Sequence, residues 1–193
     1  MAEIKDRILP VGIQSFEEIR KKGYLYVDKT DIIWQLANRG RKYNYLNRPR
    51  RFGKSVLVDT LQAYFEGRKE LFEGLKIMDL ETEWTKHPVI RLDMSRAGSS
   101  AHELNAYLNQ AFKEYEQKFS IAASPANTLS NRFDTIIQSA NQQTGQQVVV
   151  LVEGYDSPLL NSWNTPHHEE CVSIYLNVFT ILKADDEYEE FVL

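Results

Sequence analysis

Five consecutive residues, Val148-Val-Val-Leu-Val152, leave a strand no polar face to turn toward water. A strand with one face in solvent alternates apolar and polar side chains. One that is apolar at every position has to be covered on both faces, and a parallel sheet between layers of helix provides that cover. The chain holds suitable helices. Leu104, Leu108, Ala111, Phe112, Tyr115 and Phe119 fall on one face of a long helix, and Leu129, Phe133, Ile136, Ile137 and Ala140 on one face of a second. Between them the small, polar stretch 120–127, with Pro125, reads as a loop. Pro88-Val-Ile-Arg-Leu-Asp-Met94 alternates as a second strand does. A helix over 169–183, with Val172, Leu176 and Phe179 inward, leads to Phe191-Val-Leu193, which reads as the start of a further strand. The alternation of strands and helices predicts an α/β fold with a mainly parallel sheet and helices on both faces.

The part of the chain before this core has a different texture. Residues 1–41 read as a helical prelude: Ser15 is placed to cap a short helix with Glu17 and Glu18 in its first turn, and Gly23 ends it. Tyr24-Leu-Tyr-Val-Asp28 is extended, and Asp28 or Thr30 caps a helix carrying Ile32, Ile33 and Leu36 that Gly40 closes. From residue 42 the core of the chain is expected to begin. Lys42-Tyr-Asn-Tyr-Leu46 reads as a short strand, Arg48-Pro-Arg-Arg-Phe-Gly-Lys-Ser55 as a loop, and 56–65 as a helix burying Leu57, Leu61, Tyr64 and Phe65, stopped by Gly67.

Strand, loop, helix is the context in which a phosphate-binding loop works, and Gly53-Lys54-Ser55 fits the last three defined positions of G-x-x-x-x-G-K-[ST]. Arg48 stands where that pattern begins with glycine. In such a loop, backbone N–H groups wrap the phosphates, lysine neutralises the outer oxygens, and the hydroxyl ligates Mg²⁺. The expected phosphate-holding set is Arg50, Arg51, Phe52, Gly53, Lys54, Ser55 and Val56, with ATP and Mg²⁺ as cofactors. Charge agrees with a local anion site. The chain has a formal net charge of −4, yet between Asp31 and Asp59 it carries Arg39, Arg41, Lys42, Arg48, Arg50, Arg51 and Lys54 and no acid. The alternative use of that basic segment, 39–54, is contact with nucleic-acid phosphodiester.

A metal-side acid is expected at the end of the buried strand, where the chain reads Glu153-Gly154-Tyr155-Asp156-Ser157-Pro158. Ser55 and Glu153 are the metal candidates, and Lys54, Glu153 and Asp156 the catalytic ones. Gly154 cannot serve as a base. Asp156 either substitutes as one or forms an Asx-type turn into Ser157-Pro158. A strand and two helices separate the loop from the acidic strand, which suits a P-loop fold in which an added strand inserts between the two. Phe191-Val-Leu193 reads as the beginning of such a strand, so the 193 residues are expected to be the N-terminal piece of a longer protein.

Other features carry blander readings. His167-His168-Glu169-Glu170 is a solvated helix start rather than a metal cluster, since adjacent histidines do not readily face one ion. Phe16 and Tyr26 either flank adenine or staple the core; Asp28, Lys29 and Thr30 either line a base or ribose pocket or cap a helix. Trp34, Trp84 and Trp163 are expected to pack, and Asp93 either faces the phosphate site or finishes a strand. A single cysteine, Cys171, excludes an internal disulfide. No apolar run approaches the roughly 20 residues of a membrane helix, and Glu3 and Asp6 stand where a secretory signal would be basic and apolar, so a cytoplasmic protein is expected.

Together these residues resemble the N-terminal ATPase domain of the bacterial AAA-ATPase-like family. The resemblance rests on Leu9-Pro-Val-Gly-Ile-Gln-Ser-Phe16, Tyr26-Val-Asp-Lys-Thr30, Arg48-Pro-Arg-Arg-Phe-Gly-Lys-Ser55, Ala63-Tyr-Phe-Glu-Gly67 with Leu71-Phe-Glu-Gly74, and Tyr155-Asp156-x-Pro158, which span nearly the whole chain. It implies arginine rather than glycine at position 48. It also implies ATP binding, and in many members a PD-(D/E)XK nuclease-like domain beyond the ATPase domain, through which nucleic acid becomes a partner. The family pattern after the acidic strand is Asp-Glu-Tyr-Asp-x-Pro, so Glu153 replaces aspartate and Gly154 replaces the glutamate that activates water. Loss of a general base typically costs about 10² to 10⁴ in rate, and hydrolysis is expected to be slow or lost while nucleotide binding persists.

Overall fold

The computed structural model describes residues 8–49, 52–122 and 128–193. The chain divides into two compact units, 1–89 and 90–193.

The first unit is helical and aromatic at its centre. Helix α1 (Phe16–Lys21) starts where Ser15 Oγ accepts the Glu18 N–H, as the sequence predicts. Phe16 is fully buried, with ring centroids 4.9 Å from Phe72 and 5.1 Å from Tyr26. It belongs to the core rather than to an adenine pocket. Helix α2 (Thr30–Ala37) has no side-chain cap at Lys29. Asp28 organises its start instead: Oδ1 accepts from the Thr30 N–H and hydroxyl, and Oδ2 accepts the Lys76 N–H at 2.8 Å. Helix α3 (Lys54–Phe65) buries Val58, Leu61, Ala63, Tyr64 and Phe65, while Leu57 is only half-buried. Asp59 on α3 accepts the Phe16 N–H at 2.6 Å, and Arg20 on α1 donates to the Leu71 and Glu73 carbonyls. These bonds tie α1, α3 and the following 3₁₀ turn (Lys69–Phe72) into one body.

The predicted strand over 42–46 does not form; Tyr43 makes an isolated bridge. Asn44 explains part of this, because its side-chain amide donates to the carbonyls of Arg41 and Lys42 and offers the backbone a turn in place of a ladder. Trp84 packs against Tyr64 and Phe72, as expected of a core tryptophan.

The second unit is a small parallel α/β layer. Its sheet contains β1 (Val89–Asp93), β2 (Val148–Glu153) and β3 (Glu189–Val192) in the order β1-β2-β3. The apolar run lies in the middle strand, and Val148 to Leu151 are fully buried. β2 and β3 run parallel with Val149 opposite Phe191 and Val150 opposite Val192, and the Val152 N–H to Leu193 carbonyl bond extends the ladder. The long helices are α4 (Ala101–Lys118) and α5 (Leu129–Thr144), and their predicted faces are the buried ones: Leu104, Leu108 and Phe112 on α4, Phe133, Ile136, Ile137 and Ala140 on α5. Most of the predicted 120–127 loop lies outside the described residues. Across the two helices Arg132 pairs with Glu116 through both carboxylate oxygens at 2.6 and 2.9 Å. Short helices α6 (Ser157–Ser162), α7 (His168–Phe179) and α8 (Ile181–Ala184) complete the unit. The predicted inward face of 169–183 is rotated. Cys171, Tyr175, Val178, Phe179 and Leu182 are buried, Val172 is half-buried and Leu176 is 61% exposed, because the helix is divided at Thr180 and its packed stripe begins at Cys171.

Two features of this unit have measurable consequences. On the β1 edge, the Tyr115 hydroxyl accepts the Arg91 N–H at 2.6 Å and donates to the Arg91 carbonyl at 3.1 Å, and the Tyr107 hydroxyl accepts the Asp93 N–H at 2.7 Å. Helix α4 thus supplies the hydrogen bonds that a further strand would make. Beside α8, Asp185 is 4% exposed and faces Asp134 of α5, with Gln138 donating to both carboxyl groups; Glu187 and Tyr188 are the other titratable groups around it. Burial, then the Asp134 carboxyl, push Asp185 up to about 6.

For Asp185 a folded value above the unfolded one means that its contribution to stability is complete below about pH 4 and is lost as pH rises through about 6. Asp185→Asn is therefore expected to raise the thermal midpoint at pH 7.5 and to change it little at pH 4.5, a difference read directly from melts at the two pH values. Tyr115→Phe removes a hydroxyl bonded to both polar groups of one strand residue and is expected to cost about 1–3 kcal/mol in denaturant unfolding.

Candidate functional site

The loop ends where α3 begins. Gly53, the residue before Lys54, has φ 73° and ψ 21°, with open space where a Cβ would stand. That left-handed conformation is available to glycine at no steric cost, and it turns the chain into the helix. The Gly53 carbonyl then accepts the Leu57 N–H at 3.0 Å. No side chain caps this terminus and its first turn holds no acid. The N–H groups of a first helical turn, with the positive end of the helix dipole, favour an anion. Lys54, Ser55 and Val56 occupy that turn and are half-buried, while Phe52 is 70% exposed and Arg48 is exposed. Arg50 and Arg51 lie outside the described residues. The turn is braced by Thr60, a buried residue whose hydroxyl donates to the Val56 carbonyl at 2.7 Å.

The acidic strand end belongs to the second unit. Glu153 is the last residue of β2, at the carboxyl end of a parallel sheet, the end at which open α/β sheets bind their ligands. Its Oε2 lies 3.1 Å from Nη2 of Arg91 on β1, and the two side chains are 18% and 26% exposed. The signal in the sequence for this partner is one arginine between the apolar Ile90 and Leu92 of the strand. Gly154 follows with φ 64°, and a Cβ there would stand 2.9 Å from the Ser95 N and 3.1 Å from Ser157 Oγ. Both the conformation and the close approach of Ser95 call for glycine.

After Gly154 the chain makes a backbone turn, with Ser157 N–H donating to the Gly154 carbonyl at 2.8 Å. Asp156 is exposed and precedes α6 without a side-chain cap, so the expected Asx-type turn is not formed. Its backbone is already helical (φ −86°, ψ −10°), and the turn is closed by main-chain groups. The buried Tyr175 hydroxyl donates to the Tyr155 carbonyl and fastens this turn to α7. Burial pushes that phenol far above its ordinary range and keeps it a donor.

Asp93 ends β1 and accepts from the Ser95 N–H and hydroxyl, a local cap of the 3₁₀ turn Met94–Arg96. His168 opens α7, with Nδ1 3.1 Å from Ser162 Oγ and its ring against the 63% exposed Trp163, and His167 is exposed. Among the described residues no group of three His, Cys, Asp or Glu forms a metal cage. A serine hydroxyl and a carboxylate are each hard oxygen donors of the kind Mg²⁺ takes, and a nucleotide-bound Mg²⁺ draws most of its ligands from phosphate and water. No described helix is long and apolar enough to cross a membrane.

The chain is 36% identical over 189 residues to an uncharacterized protein encoded in the vnfD 5′ region of Azotobacter chroococcum mcd 1, covering 96% of this chain and 36% of that protein. It therefore spans about a third of the length of this curated relative. No solved structure matches it. A family model described as a predicted AAA-ATPase matches residues 10–193. With an uncapped, glycine-led helix start at Gly53-Lys54-Ser55 and an acid closing the buried strand at Glu153, the chain belongs to the predicted AAA-ATPase-like family.

Proposed function

We propose that residues 1–193 serve as one P-loop nucleotide-binding domain, with 1–41 as its prelude and 42–193 as its core, and that this domain binds ATP with Mg²⁺. The observation that carries the reading is the start of α3. A left-handed glycine leads into a helix with no side-chain cap and no acid in its first turn, and lysine and serine are its first two residues. Arg50 and Arg51, the first-turn amides and Lys54 hold phosphate, and the Ser55 hydroxyl and Glu153 are the metal-side groups. Mg²⁺, when bound, neutralises charge developing on the phosphates.

Hydrolysis is proposed to be slow. Gly154 has no side chain with which to activate water, and its backbone does not accommodate one: φ is positive and Ser95 stands against the missing Cβ. The departure from the family pattern at this position is therefore built into the turn, beyond the identity of a single residue. Asp156, exposed and uncommitted to a cap, is the remaining acid in this segment that could take a proton.

Mg-ATP at about 100 times its dissociation constant is expected to stabilise the chain by about 2.7 kcal/mol, seen as a rise in thermal midpoint that Lys54→Ala abolishes. Binding to DNA that falls with salt but ignores both ATP and Lys54→Ala would instead assign the basic 39–54 segment to nucleic acid. Radiolabelled ATP hydrolysis at saturation is expected to run well below about 1 s⁻¹. A faster rate abolished by Lys54→Ala and by Asp156→Ala would sink the slow-turnover reading. Gly154→Glu is expected to lower the thermal midpoint and to leave hydrolysis at its original rate, because the turn that receives the new side chain is strained.

A further inference from the structure

Glu153, the proposed metal-side acid, already has a cation. Arg91 reaches it from the neighbouring strand at 3.1 Å, and both side chains are largely withdrawn from solvent, at 26% and 18% exposure. An ion pair in the open would be loosely held and screened. This one is positioned by the frame. The main chain of Arg91 is gripped on both polar groups by the Tyr115 hydroxyl, and two residues on, the Asp93 N–H is held by Tyr107. The strand therefore fixes the Cα from which the guanidinium extends.

The other side of the pair is equally constrained. Glu153 closes β2, whose preceding residues are buried and paired with β3, and the next residue is a glycine locked against Ser95. A carboxylate on a longer stem than aspartate has the reach to meet a neighbour on the adjacent strand, and here it does so. Like charges brought to one carboxylate disfavour each other. A divalent cation approaching Glu153 meets a positive charge that is already in place, and it must share the carboxylate with Arg91 or displace it.

We propose that Arg91 is the resident counter-ion of Glu153 and a positioning residue that weakens the hold of this strand end on a divalent cation. The proposal rests on Glu153 as the metal-side acid of the nucleotide site. Loading of the metal then becomes linked to release of the Arg91–Glu153 pair, and the basal state of the chain is one with the acid internally neutralised.

The test is Mn²⁺ affinity, measured by electron paramagnetic resonance on the full chain with saturating ATP. Arg91→Met keeps the packed stem and removes the charge, and it is expected to tighten Mn²⁺ binding by about tenfold. Arg91→Lys keeps the charge and is expected to stay within about twofold of the original. Glu153→Gln is expected to weaken binding. In the Glu153→Gln background Arg91→Met is expected to have no further effect, since its action runs through the carboxylate. Circular dichroism melts confirm that each variant is folded, and Arg91→Lys supplies a reading if Arg91→Met is not. Unchanged or weaker Mn²⁺ binding in folded Arg91→Met, or tightening in Arg91→Lys, would overturn the role of Arg91 while nucleotide binding lost in Lys54→Ala still upholds the site. If neither Lys54→Ala nor Glu153→Gln alters ATP or Mn²⁺ binding, the nucleotide reading itself fails, and this proposal with it.

Discussion

A strand with no polar face has nowhere to find water, so every one of its peptide groups depends on a neighbouring strand, and both its faces depend on other elements for cover. The residues from Val148 to Leu151 impose that condition on the second unit, and the rest of the unit follows from it. β1 and β3 flank the run. The stripes of α4 and α5 meet in the same core, with Phe112 stacked on Phe133 at 5.1 Å, and α7 adds Tyr175, Val178 and Phe179. Because burial of an unpaired peptide group costs about as much as a lost hydrogen bond, the arrangement tolerates little change in the middle strand and more at its ends.

The ends are where chemistry is available. Glu153 leaves the ladder still partly shielded, and there it meets Arg91 at 3.1 Å, out of reach of much of the solvent that screens a surface contact. The loop of the first unit follows the same logic with different parts. A helix without a side-chain cap keeps a set of donors and a positive pole at its start, and Gly53 lets the backbone reach that pole without a side chain in the way. The first unit offers uncapped donors and a lysine at the start of α3, and the second ends its buried strand in an acid paired with Arg91.

Much of this was legible in the residues. The periodicity of α4 and α5 predicted their buried faces, since long helices with a single apolar stripe have few ways to pack. The run at Val148 predicted its own burial, and the family was readable from Arg48-Pro-Arg-Arg-Phe-Gly-Lys-Ser55 and its companions. The failures share a cause. Lys42–Leu46 was too short and too polar for pattern alone, and Asn44 satisfies its own backbone. Leu176 looked inward because α7 is apolar at more positions than it can bury, and the division at Thr180 decides which. Asp156 is placed in the sequence for an Asx-type turn, yet the main-chain bond from Ser157 to Gly154 closes the turn without it. The pairing of Arg91 with Glu153 spans 62 residues and depends on which strands are neighbours, which local pattern does not encode.

The tyrosines on α4 give the sheet a direction. Tyr115 and Tyr107 put phenol groups where a fourth strand would have placed its amides and carbonyls, against the Arg91 N–H and carbonyl and the Asp93 N–H of β1. A strand approaching this edge would have to displace those phenol groups before it could pair with Arg91. The layer is thus like a seam already fastened along one margin. A helix, through two hydroxyls eight residues apart, decides which margin that is.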